Sequence, residues 1–176
     1  MATTYTLCSG DYIRPWRNVR LKEFPVHVSQ TVLVGSVLQK GGAGYENRVI
    51  LSTDTVTTGI VGVAAEAITT TATHVAATDK VLVWLATPDA EFVGRTVADD
   101  AVDFTDIGVN VELEIDATYS ITEVQTDGTA YEVVQVLEYL NPTTRDKQAA
   151  EGDTSVLCVF KFIPGATIWG TGIVLV

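Results

Sequence analysis

Two histidines, His27 and His74, are the only imidazoles in the chain, and neither has a Cys, His or carboxylate neighbour at metal-ligand spacing. His27 is expected to cap a surface strand, and His74 falls in a Thr- and Ala-rich stretch that reads as a loop. The acidic run Asp99, Asp100, Asp103, Asp106 lacks the alternating oxygen ligands and terminal bidentate Glu of a calcium loop, so it reads as a solvated linker. Glu112, Glu114 and Asp116 alternate along one face, where carboxylates keep a strand edge from pairing with strangers. A carboxylate pair for glycoside hydrolysis stays open at this level, because any acidic β-protein offers such pairs. Gly41-Gly42-Ala43-Gly44 lacks the Lys-Ser/Thr of a phosphate loop, and no G-x-S-x-G elbow occurs. Cys8 has no base near it in sequence, and Cys158 sits in an apolar run where a thiol behaves as a small hydrophobe. Two free thiols are expected rather than a disulfide. The reading is therefore no catalytic residue, no cofactor-binding residue and no metal ligand.

What remains is chemistry of contact. Residues 1–30 carry Arg14, Arg17, Arg20 and Lys22 against Asp11 and Glu23, while the other 146 residues carry 7 basic and 20 acidic side chains. The total is −11. Such a body repels phosphate and anionic lipid, so neither nucleic acid nor membrane is expected as a partner. Apolar runs of four to eight residues are too short to cross a bilayer as helices. The start, Met1-Ala2-Thr3-Thr4-Tyr5-Thr6, has no charged n-region followed by an apolar stretch, which favours a protein made inside the cell. Within residues 1–30, Pro15 and Pro25 limit regular structure while Trp16 and Phe24 supply large apolar groups among the arginines. Arg14, Trp16, Arg17, Arg20 and Phe24 are the expected partner interface, since Trp and Arg are the residue types that interface hot spots favour. This arm packs back on its own domain or reaches a neighbouring chain.

The elements that must carry such a surface are strands. Val, Ile and Thr abound from Thr31 onward, and β-branched side chains suit a pleated half-buried surface. Strands are predicted at 31–34, 37–38, 48–51, 60–64, 80–85, 110–116, 119–124, 131–139 and 155–162. Thr126-Asp127-Gly128-Thr129 reads as a hairpin turn. Asn141 to Ala150 is a candidate short helix, or equally a loop. The pattern also repeats. Pro88-Asp89-Ala90-Glu91-Phe92-Val93-Gly94 recurs as Pro164-Gly165-Ala166-Thr167-Ile168-Trp169-Gly170, 76 residues on, and Val81–Leu85 recurs as Val156–Phe160 at an offset of 75. Gly35 and Gly108 head the two series, 73 apart. Each Pro suits the second position of a tight turn. The expected fold is all-β: two tandem small β-barrel or β-sandwich units related by internal duplication, with an extended N-terminal arm. The divisions are an arm at 1–30, a first unit at 31–94, an acidic linker at 95–105 and a second unit at 106–176. The apolar end, Gly172-Ile173-Val174-Leu175-Val176, is expected to pair as a strand.

Val34-Gly35-Ser36-Val37-Leu38, Gly59-Ile60-Val61-Gly62-Val63-Ala64-Ala65-Glu66 and Asp79-Lys80-Val81-Leu82-Val83-Trp84-Leu85 together resemble the small β-barrel head-decoration, or cement, proteins of tailed bacteriophages. The resemblance covers about residues 30–94 and, more loosely, the second copy, in which Val134-Gln135 replaces Gly62-Val63. It implies a non-enzymatic protein made in the host cytoplasm that binds the outside of an assembled capsid in the virion. The implied partners are the major capsid protein and further copies of the chain, as trimers. The alternatives are another virion structural β-protein (coat, tail-tube or fibre-base subunit) and, further off, a carbohydrate-binding or hydrolytic β-domain.

Overall fold

A computed structural model describes residues 12–53, 55–116, 121–128, 130–145 and 148–169, the side chains of Asp116 and Ile121 excepted. It is all-β, with three antiparallel sheets, none of them closed into a barrel. The strands are β1 (Arg14–Arg17), β2 (Leu21–Pro25), β3 (Thr31–Val32), β4 (Val37–Lys40), β5 (Val49–Leu51), β6 (Ile60–Ala64), β7 (Ile68–Thr69), β8 (Lys80–Leu85), β9 (Glu91–Arg95), β10 (Asn110–Asp116), β11 (Ile121–Gln125), β12 (Val134–Leu140) and β13 (Leu157–Phe162). Every strand expected from periodicity is present in outline, because alternating apolar side chains can bury one face of a pleated strand only in that register.

A five-stranded sheet runs β2-β8-β6-β4-β5, and a six-stranded one runs β1-β9-β13-β12-β10-β11. Set β1 aside and both sheets have the same order by chain position: first, fifth, fourth, second, third. The likeness extends to the edges. Each sheet curls until its first strand meets its third at a single parallel bridge, Val26 with Val49 and Thr96 with Val124. The next residue donates in each case: His27 N–H to Val49 O at 3.0 Å and Val97 N–H to Val124 O at 3.0 Å. Gly35 and Gly108 adopt φ of +85° and +89° and donate to Ala64 O and Val136 O. A side chain at that φ would be strained, which is why both positions read as glycine in the sequence. A buried aspartate precedes the fifth strand of each sheet: Asp79 accepts from Val75 N–H at 2.7 Å, and Asp153 from Ala150 N–H at 2.9 Å.

The core follows from side-chain alternation. On β13, Cys158, Phe160 and Phe162 point to one side and join Phe92, Val111, Val134 and Tyr139. The rings of Phe92, Phe160 and Phe162 lie 5.4–6.1 Å apart in stacked and edge-on contacts. The same cluster takes in Val37, Ile60 and Val63 from the five-stranded sheet, so the two sheets share one interior. A second cluster, Phe24, Val49, Val61, Val81 and Val83, fills the other side of the five-stranded sheet. Burying each such side chain contributes roughly 1.5–3 kcal/mol.

Three expectations change. Residues 14–25 are not an extended arm: β1 pairs with β9 and β2 with β8, giving one strand to each large sheet. Prolines hid them, yet Pro15 lies on an edge strand and Pro25 at a strand end, where a missing N–H costs little. Sheet membership also crosses the expected divisions at 94 and 105, because β9 brings Phe92 into the Phe160–Phe162 cluster. Thr126 to Gly128 does not join paired strands; β11 and β12 flank β10 on opposite sides, and the hairpin is β10–β11. Of the two readings open for Asn141 to Ala150, the described residues fit the loop: Asn141 starts a turn, its Oδ1 accepting from Thr143 and Thr144 N–H. The proline turns do form, with Ala90 N–H bonding Thr87 O and Ala166 N–H bonding Ile163 O, each at 3.0 Å. After the second, Thr167 bridges Ile60 and Ile168 enters the Phe24–Val81 cluster. The strand expected at 172–176 and the thiol of Cys8 lie outside the described residues.

Candidate interaction surfaces

The two histidines and the described cysteine lie in separate surroundings. Among the described residues, no three His, Cys, Asp or Glu side chains gather closely enough to hold one metal ion. His27 packs edge-on against Tyr45, ring centres 4.1 Å apart. His74 Nδ1 stands 3.6 Å from Asp79 Oδ2. Cys158 is a buried free thiol, and burial pushes its ionisation upward, away from nucleophilic use.

The five residues expected to form a partner interface separate into inner and outer groups. Phe24 is only 7% exposed and belongs to the core of its own sheet, so it offers nothing to a partner. Lys22 lies on the same side of β2 with its Nζ 5.4 Å from the centre of the Phe24 ring, so no simple alternation marked Phe24 as buried. Trp16 is the extra residue at the β1 bulge and packs half-buried on Val93, Leu140, Leu157 and Val159. Its indole N–H is enclosed with no hydrogen-bond partner among the described residues. Arg14 is half-buried opposite Val93. Arg17 and Arg20 remain outside. The Arg17 side chain is 65% exposed and lies 3.8 Å from Glu91, a contact worth little in water. Arg20 stands near Asp89, whose carboxyl is held low mainly by the Thr87 hydroxyl and its own backbone N–H. Leu21, between Arg20 and Lys22, is 57% exposed, and sequence reading missed it. A lone Leu among charges gives no signal until its strand is placed.

The run expected to be a solvated linker keeps Asp99 and Asp103 exposed and also walls an acidic hollow of about 240 Å³, lined by Asp99, Asp100, Asp103, Asp106, Thr126 and Asp127. Asp100 accepts from Thr126 N–H at 2.7 Å and from its hydroxyl at 3.3 Å, tying this loop to the end of β11. Partial burial raises the Asp100 carboxyl against those bonds, with Asp127 and Glu114 adding to the rise. Asp106 accepts from the Tyr139 hydroxyl at 3.2 Å and is likewise raised, first by burial. Asp103 caps the short 3-10 turn Phe104–Asp106 through Thr105 N–H at 2.8 Å, which lowers its carboxyl. Phe104 and Ile107 stand about 40% exposed among these carboxylates.

A third feature is an apolar cleft of about 320 Å³ where the sheets meet, lined by Leu33, Val37, Leu51 and Ile115 with Thr31 and Thr122. No periodicity could have revealed it, since its walls come from both halves of the chain. No protein-family model matches this chain, and no curated protein matches its sequence.

Proposed function

We propose that this chain is a non-enzymatic virion structural protein that binds the outer surface of an assembled tailed-phage capsid and stabilises it by bridging coat subunits. Its partners in this reading are the major capsid protein and further copies of itself, as trimers. It would be made in the host cytoplasm and come to rest on the capsid surface. The observation that carries the reading is the doubled order of the two large sheets, first-fifth-fourth-second-third in each, with matching edge bridges. We take this order as the mark of an internal duplication with repeats at about residues 21–85 and 91–162. It agrees with the sequence resemblance to decoration proteins, which draws on strands and glycines of the first repeat.

Physical sense supports the same assignment. DNA packed in a head presses the shell outward, and a clamp that touches several coat subunits gains from effective concentration at each further contact. A body rich in carboxylates stays soluble on the outside of the shell and apart from the packaged nucleic acid. The test is attachment of the purified full chain to expanded capsids that lack it. Saturable co-sedimentation at a fixed ratio to coat protein is expected. Recovery of all the protein in the supernatant, at concentrations above those of the coat subunits, overturns the proposal. Deleting residues 1–30 is not a useful variant, because it removes β1 and β2 from both sheets. Arg17→Glu with Arg20→Glu tests the exposed part of that segment with the strands intact.

A further inference from the structure

The described chain begins beside the apolar cleft between the sheets. Traced back from β1, it follows β9 toward the end of that strand, because Arg14 pairs with Val93 and the two strands are antiparallel. Ile13 packs on Gly94, where a Cβ would fall 2.9 Å from the Ile13 Cγ1. Tyr12 lies on Gly35, where a Cβ would fall 2.6 Å from the Tyr12 Cβ. Ser36 and Val37, which follow Gly35, belong to one wall of the cleft. Thr122 of the opposite wall sits on β11, whose Val124 bridges Thr96 just past the end of β9. The chain thus arrives between the two walls. From Ser52 and Ile115 the cleft runs on to Leu113. None of the described residues that line it is charged, and Leu33 and Ile115 are each 36% exposed.

We propose that residues 1–11, which precede the described chain, lie in this cleft of the same molecule as an extended strap joining the two large sheets. Extended, such a segment reaches up to about 36–40 Å, so its length does not limit how far along the walls it runs. Met1 to Gly10 carry no charged side chain in a molecule of net charge −11, which matches an uncharged cleft. In Thr4-Tyr5-Thr6-Leu7-Cys8, Tyr5 and Leu7 fall on one side of an extended segment and Thr4, Thr6 and Cys8 on the other. Tyr5 and Leu7 then cover Leu33, Leu51 and Ile115, and the threonine hydroxyls stay toward water. The occupant is the chain's own segment, because Tyr12 delivers it to the cleft at an effective concentration that no separate molecule matches. The strap stands or falls independently of attachment to capsids.

Cys8 makes the proposal testable in the full chain, since the thiol of Cys158 is buried. Thr31→Cys, Leu33→Cys and Ile115→Cys each place one thiol at an exposed position of the cleft walls. Thr143→Cys places one on an exposed turn beyond the end of β12, as the control. Under mild oxidation by copper–phenanthroline, at least one wall variant is expected to form an intrachain disulfide with Cys8 much faster than T143C does, as located by peptide mass mapping. Links no faster than in T143C overturn the proposal. Disulfide-linked pairs of molecules in place of intrachain links overturn it too, and assign the cleft to the segment of a second copy. A second measurement needs no new thiol. Tyr5→Ala with Leu7→Ala should speed amide hydrogen exchange at Leu33, Leu51 and Ile115 several-fold and leave Thr143 unchanged. Equal exchange in the two chains, or the same rise at all four sites, overturns the proposal as well.

Discussion

Arg95 and Glu123 show how much a single pair of residues can govern here. Both are 4% exposed, and their side chains form an ion pair between the last residue of β9 and the middle of β11. It lies beside the Thr96–Val124 bridge, where the end of β9 meets β11. Removing one partner leaves the other charge buried, so Arg95→Ala or Glu123→Ala should destabilise by about 3–5 kcal/mol. For a chain of this length each kcal/mol lowers Tm by about 2–4 °C. The double variant R95M/E123L should recover most of that loss, because apolar groups of like volume do not carry the desolvation cost. Thermal unfolding of the three variants decides the matter; single variants that melt with wild type would mean that the pair holds nothing. Neither residue drew notice in the sequence, where Arg95 sits at the start of an acidic stretch and Glu123 looks like one more surface carboxylate. Gly62 is the opposite case. It was visible as part of a glycine-containing strand, but its reason is tertiary: a Cβ there would fall 2.1 Å from Trp84 O on the neighbouring β8.

Among elements, the decisive ones are the two short segments that cross between sheets. β1 precedes the first large sheet in sequence and pairs with β9 of the second, while Thr167 and Ile168 follow the second sheet and dock on β6 of the first. Trp169 Nε1–H donates to Val61 O at 2.9 Å and fixes the latter crossing. Each end of the described chain thus fastens the half remote from it. Ile168→Ala opens a cavity beside Phe24, Val61 and Val81 and should cost about 2–5 kcal/mol. Hydrogen exchange at Val61 and Val83 should rise in that variant more than exchange at Val159, since only the former lie in the affected cluster. An equal rise at all three would show that the crossing has no local role. Strands with clean alternation, such as Asn110 to Asp116, were plain in the sequence. β1 and β2 were not, because Arg-Pro-Trp-Arg and Leu-Lys-Glu-Phe-Pro alternate poorly and carry prolines that only an edge position or a strand end tolerates.

At the scale of the whole molecule, the question is whether two like-ordered sheets behave as beads or as one body. Val37, Ile60 and Val63 lie in one apolar cluster with Phe92, Val111 and Phe160, so neither half can open without exposing part of the other's core. A single cooperative transition is expected, with calorimetric and van't Hoff enthalpies in agreement. Two resolved transitions, or halves 1–88 and 89–176 that each fold when produced separately, would refute the shared core.

The amino-acid pattern by itself determined that the chain is built of strands and roughly where they lie. Those features are local: side-chain alternation, turn residues and positive-φ glycines act over a few positions. Which strand joins which sheet was decided by tertiary contact alone. β9 belongs with β13 because Phe92 meets Phe160 there, and Phe24 turned inward because β2 found β8. The same contacts gathered dispersed aspartates into one hollow and left Arg17, Arg20 and Leu21 facing solvent. Burial depends on neighbours distant in sequence, and no window along the chain contains them.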